Sequence, residues 1–73
     1  MRELDVRPIL RAGGEPFSDI MKFVDDLHPN EAFRLLATFK PEPLLTVMAH
    51  KGYRGEAEQV AEEDWAVVFT PVA

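Results

Sequence analysis

The chain contains no cysteine. That excludes a disulfide, a thiol nucleophile and a cysteine-based metal site. Basic residues are scarce: eight Lys and Arg stand against thirteen Asp and Glu, for a net charge of −5. Nucleic acids and anionic membrane surfaces are held by clustered cations, so neither is expected as a partner. No segment approaches the roughly 20 apolar residues of a membrane-spanning helix. The opening residues Met1-Arg2-Glu3-Leu4-Asp5 lack the apolar stretch of a signal peptide. The expectation is a cytoplasmic protein. Serine occurs once, at Ser18, outside any nucleophile-elbow pattern, and reads as a first-turn helix residue. The only histidines are His28, in a predicted turn, and His50, at a predicted helix end. Neither has a partner at metal-ligand spacing. No catalytic group, metal or cofactor is expected.

What is present suits one small domain spanning residues 1–73. A chain of this size buries roughly 60% of its unfolded surface, so its stability margin is thin. Leu4-Asp5-Val6-Arg7 alternates as a half-buried strand does, and Pro8 ends it. Residues 9–14 read as a loop closing on Gly13-Gly14. Pro16 suits a first helical turn, and Phe17, Ile20, Met21, Val24 and Leu27 then recur at helical spacing until His28-Pro29-Asn30.

Glu31 to Phe39 is the clearest strand, with Phe33, Leu35, Ala37 and Phe39 on one face and Ala32, Arg34, Leu36 and Thr38 on the other. Lys40-Pro41-Glu42-Pro43 opens a second helix through Leu44, Leu45, Val47, Met48 and His50, with Gly52 as its C′ residue. Tyr53 to Val60 is a strand in which Gly55 marks a bulge or a close approach. Ala61-Glu62-Glu63-Asp64 is a turn, and Trp65 to Thr70 a last strand stopped by Pro71. The order βαβαββ predicts an α+β two-layer sandwich: a mixed four-stranded sheet with two helices on one face, parallel crossovers, and a closing antiparallel hairpin.

These residues also carry a resemblance. Leu4-Asp5-Val6-Arg7-Pro8, Gly14-Glu15-Pro16-Phe17, Glu31-Ala32-Phe33-Arg34-Leu35, Phe39-Lys40-Pro41-Glu42-Pro43-Leu44, Lys51-Gly52-Tyr53 and Trp65-Ala66-Val67 follow one another as in the TusA/SirA-like sulfur-carrier fold. The chain most resembles its cysteine-less bacterial branch, domain-of-unknown-function family 2249. In the carriers a Cys-Pro-x-Pro motif at the first helix holds a persulfide. Here Gly13-Gly14-Glu15-Pro16 stands at that place. Persulfide transfer needs a thiolate, so the resemblance implies the scaffold and not the carrier's chemistry.

Two candidate sites follow. The first is the start of the first helix, where Gly13, Gly14, Glu15 and Pro16 with Arg7 and Arg11 could receive a small anion or ligand. Glu15 opposes this, because its carboxylate already answers the positive helix end. The second is the uncovered sheet face. Alternation puts Arg7, Arg34, Leu36, Thr38, Arg54, Glu56, Glu58, Ala66 and Val68 there. Arg34, Leu36 and Val68 are the proposed contact surface for a protein partner or a second copy. Lys40-Pro41-Glu42-Pro43 is a weaker counterpart of the first site, since its two prolines remove donors. Glu62-Glu63-Asp64 and Asp25-Asp26 read as solvated acidic pairs and turns. The expected function is a non-catalytic binding or adaptor module acting through protein contact. The alternatives are an anion- or ligand-binding domain, and an accessory of sulfur transfer whose cysteine comes from a partner.

Overall fold

The strand Phe33-Arg34-Leu35-Leu36-Ala37 organises the molecule. Its odd residues are fully buried and its even residues lie at or near the surface, as a strand covered on one side requires. In the computed structural model, which describes residues 1–72, the order is β1 (Arg2–Asp5), α1 (Arg7–Arg11), α2 (Phe17–Asp25), β2 (Phe33–Ala37), α3 (Glu42–His50), β3 (Tyr53–Ala61) and β4 (Asp64–Pro71). The sheet order is β1-β2-β4-β3. β1 pairs parallel with β2, and β4 pairs antiparallel with both β2 and β3. β1, β2 and β3 therefore run the same way, as two strand–helix–strand crossovers require.

Phe33, Leu35 and Ala37 of β2 and Val67 and Phe69 of β4 form the buried sheet face. Ile20 of α2, Leu44 and Met48 of α3, and Val6 close the core from the helical side. Phe33 stacks on Phe69 at 5.1 Å between ring centroids and meets Phe23 at 5.4 Å and Tyr53 at 5.9 Å. The predicted mixed sheet with helices on one face is present, with three helices where two were expected.

The third helix is α1, in the stretch read as a loop. The first strand also lies earlier than predicted, at Arg2–Asp5. Pro8 does not end a strand; it sits in the first turn of α1, where its missing N–H costs nothing. Asp5 Oδ1 accepts the Arg7 N–H at 3.0 Å and so serves one of the donors a helix start leaves open. The glycine pair then ends this helix. Gly13 adopts φ +80°, its N–H donates to Leu10 O at 3.0 Å, and the Gly14 N–H donates to Ile9 O at 2.9 Å. This is a Schellman end, with Gly13 at the left-handed C′ position.

The other differences are shorter. α2 begins at Phe17, with Pro16 just ahead of it, and stops at Asp25; Leu27 still packs on the core. β2 ends at Ala37, which leaves Phe39 51% exposed and off the buried face. Gly52 follows α3 at φ +88°, as predicted. β3 continues to Ala61, the turn is Glu62-Glu63, and Pro71 is the last residue of β4 and pairs with Tyr53 at the sheet edge.

Candidate functional site

Because β1, β2 and β3 are codirectional, their carboxyl ends gather at one end of the sheet. The connections there lead into the N-termini of α2 and α3. Ligand sites of open α/β sheets favour such an end. Between the two helix starts lies a pocket of about 220 Å³. Leu35 and Ala37 of β2 and Val6, just past β1, contribute to its lining. The helices add Leu10, Ile20 and Leu44, and the connecting segments add Pro16, Phe39, Pro41 and Pro43. Phe17 and Phe39 are 44% and 51% exposed, unusual for phenylalanine, and both belong to this lining. Among the described lining residues Glu15 has the sole charged side chain.

The six residues of the first predicted site divide. Gly14, Glu15 and Pro16 line the pocket, whereas Gly13, Arg7 and Arg11 do not. Gly14 lies so close to α1 that an added Cβ would meet Ile9 Cγ2 at 3.0 Å and Ile9 O at 3.2 Å. A Glu15 carboxylate oxygen accepts the Phe17 N–H, which serves a donor an anion would need.

Arg7 is not on the sheet face, where alternation placed it. It begins α1 and donates to both oxygens of Asp5, at 2.9 and 2.8 Å, and to Asp64 Oδ1 at 3.0 Å. Arg11 approaches the same Asp64 oxygen at 3.5 Å. The guanidinium of Arg7 holds the Asp5 carboxyl below its ordinary value. Asp5, and then Asp64, push Arg7 further above its own. This network ties the end of β1 and the start of β4 to α1. Both arginines are engaged there by carboxylates.

The predicted contact residues do come together. Arg34 is opposite Val68, and Leu36 is opposite Ala66, so Leu36 and Val68 are diagonal neighbours on the outer face. Glu56 and Glu58 of β3 lie opposite Val68 and Ala66. Ala66 and Val68 line a second cavity, of about 420 Å³, with Arg34, Glu56, Glu58 and Val60. Arg34 pairs with Glu3 across strands at 3.1 Å, and Arg54 with Glu56 along β3 at 3.5 Å. Among the described residues no three His, Cys, Asp or Glu side chains are grouped to hold a metal ion, and no helix is long and apolar enough to cross a membrane.

The pocket residues Val6, Leu10, Phe39 and Leu44 were not singled out from the sequence as site residues. One signal was available: prolines cluster at both helix starts, as Pro16, Pro41 and Pro43. A rigid, donor-poor segment at each helix start leaves apolar rings where N–H groups would otherwise face a ligand.

Residues 3–71 match the family described as uncharacterized conserved protein (DUF2249). The chain belongs to this family. The match takes in every DUF2249 element described above except Arg2, at the start of β1, and with them both the pocket and the outer sheet face. Neither a curated protein nor a solved structure matches the chain.

Proposed function

We propose that this DUF2249 chain is a non-catalytic binding domain that recognises a protein partner by contact, with the pocket at the α2 and α3 starts as its recognition element. The observation that carries this reading is the lining: a preformed concavity, apolar except for one carboxylate, with two exposed phenylalanines. Binding sites combine apolar walls with few polar groups, and exposed apolar patches mark contact surfaces. The element order and the mixed four-stranded sheet also support a TusA/SirA-like scaffold. On that scaffold the cysteine position falls in the glycine end of α1, which has a folding role of its own.

The test is amide chemical-shift titration with two neutral probes, indole and isobutanol. Shifts should centre on Gly14, Ile20, Ala37 and Leu44. Phe39→Ala should weaken binding by about fivefold, which is about 1 kcal/mol for roughly 40 Å² of lost contact at about 25 cal/mol per Å². Scattered shifts, or none, would dismiss the pocket.

A second reading rests on the diagonal pair Leu36 and Val68, which supports docking of a protein partner or a second copy on the outer sheet face. Leu36→Asp should then reduce association in sedimentation velocity while the circular dichroism melt persists. Unchanged association would remove this face from consideration.

A further inference from the structure

The pocket is small. Sites for drug-sized ligands occupy about 300–1,000 Å³, whereas this one has about 220 Å³. At about 30 Å³ per water, that is room for about seven waters, the scale of one bulky side chain. The apolar surface does not stop at the cavity, since Phe17 and Phe39 extend it outward. A chain lying across the opening would touch rings beyond its own anchor.

Charge narrows the occupant further. Glu15 gives one oxygen to the Phe17 N–H, and its carboxylate forms no ion pair among the described residues. Three of the chain's cations face other carboxylates. Arg7 and Arg11 face Asp5 and Asp64, and Lys40 lies 3.3 Å from Glu42. The whole chain carries −5, which adds a long-range preference of the same sign.

We infer that the occupant is an extended segment of a partner protein in which a bulky apolar side chain, seated in the pocket, has a lysine or arginine beside it to meet Glu15. This inference rests on the pocket reading above and adds the partner's chemistry. The apolar anchor provides affinity, and the cation provides selectivity and a faster encounter.

Three blocked heptapeptides test it, Gly-Gly-x-Phe-x-Gly-Gly with x as Lys, Gln or Glu. Each is titrated at about 0.15 M salt, where the Debye length of about 8 Å screens the field of the net charge and leaves the contact with Glu15, into the wild-type domain, Glu15→Gln and Glu15→Lys, with thermal unfolding confirming that each variant is folded. Glu15→Gln keeps an acceptor for the Phe17 N–H. The Lys peptide should bind the wild type about two- to fivefold more tightly than the Gln peptide, the range of one exposed ion pair. The Glu peptide should bind most weakly. Glu15→Gln should erase the order and Glu15→Lys should reverse it. Equal binding of all three to the wild type, or an order that survives Glu15→Gln, would overturn the inference. If even the neutral Gln peptide leaves Gly14 and Ala37 unshifted, the pocket reading itself falls, so the two failures are distinguishable.

Discussion

Gly55 sits where β3 is pressed by both α3 and β4. A Cβ built on it would lie 2.4 Å from Leu45 Cδ2 and 2.7 Å from Phe69 Cε1. Leu45 can swing its methyl away, but the Phe69 ring is fully buried and stacked on Phe33. Gly55→Ala should therefore cost about 1–3 kcal/mol, the usual range for overpacking a core. Urea unfolding would show a lower midpoint at an unchanged slope, and a midpoint equal to wild type would refute the tight contact. The sequence offered two meanings for this glycine, a bulge or a close approach. The close approach is real, and the bulge lies at Val60, where pairing shifts between Gln59 and Ala61. Local pattern could not separate the two meanings, because the deciding atoms belong to Leu45 and Phe69, distant in the chain.

Elements whose sequence repeats its period were legible, and the shortest helix was not. Phe33, Leu35 and Ala37 declared β2 by alternation, and α2 declared itself by the spacing of Phe17, Ile20, Met21 and Val24. The five residues of α1 offer barely more than one turn, too few for a period to show. Arg7 and Pro8 therefore read as the end of a strand. What holds α1 is Asp5, which binds the Arg7 backbone and guanidinium together.

Because that pairing lowers the folded-state pKa of Asp5, its contribution is present above the unfolded carboxylate value, about 3.9. It is lost as the pH falls through the lower folded value. Asp5→Asn should destabilise the domain at neutral pH and flatten the acid side of its stability–pH curve below about pH 4. Chemical denaturation at a series of pH values checks this, and a curve of unchanged shape would mean that Asp5 gains nothing from Arg7. The exposed setting keeps the effect modest.

For the molecule as a whole, total stability should be about 4–11 kcal/mol, taking about 0.05–0.15 kcal/mol per residue. Phe33 touches three other aromatic rings and is fully buried. Phe33→Ala should cost about 3–5 kcal/mol, much or all of that margin. A melt showing only a small shift would place the core elsewhere. Fold class was readable because it needs only the order and type of elements. The pocket was not, because Val6, Ile20, Leu35 and Leu44 meet through strand order, which no residue spacing encodes.

The same strand order brings two distant parts of the chain together. Arg2 and Phe69 flank Phe33 from either side, about two strand spacings, or roughly 10 Å, apart. A few added residues could therefore link the region after Val72 to the region before Arg2. Reopening the chain at the Glu62-Glu63 turn would make a circular permutant with the same sheet. Both strand ends face away from the pocket, so material attached to either would leave the pocket open.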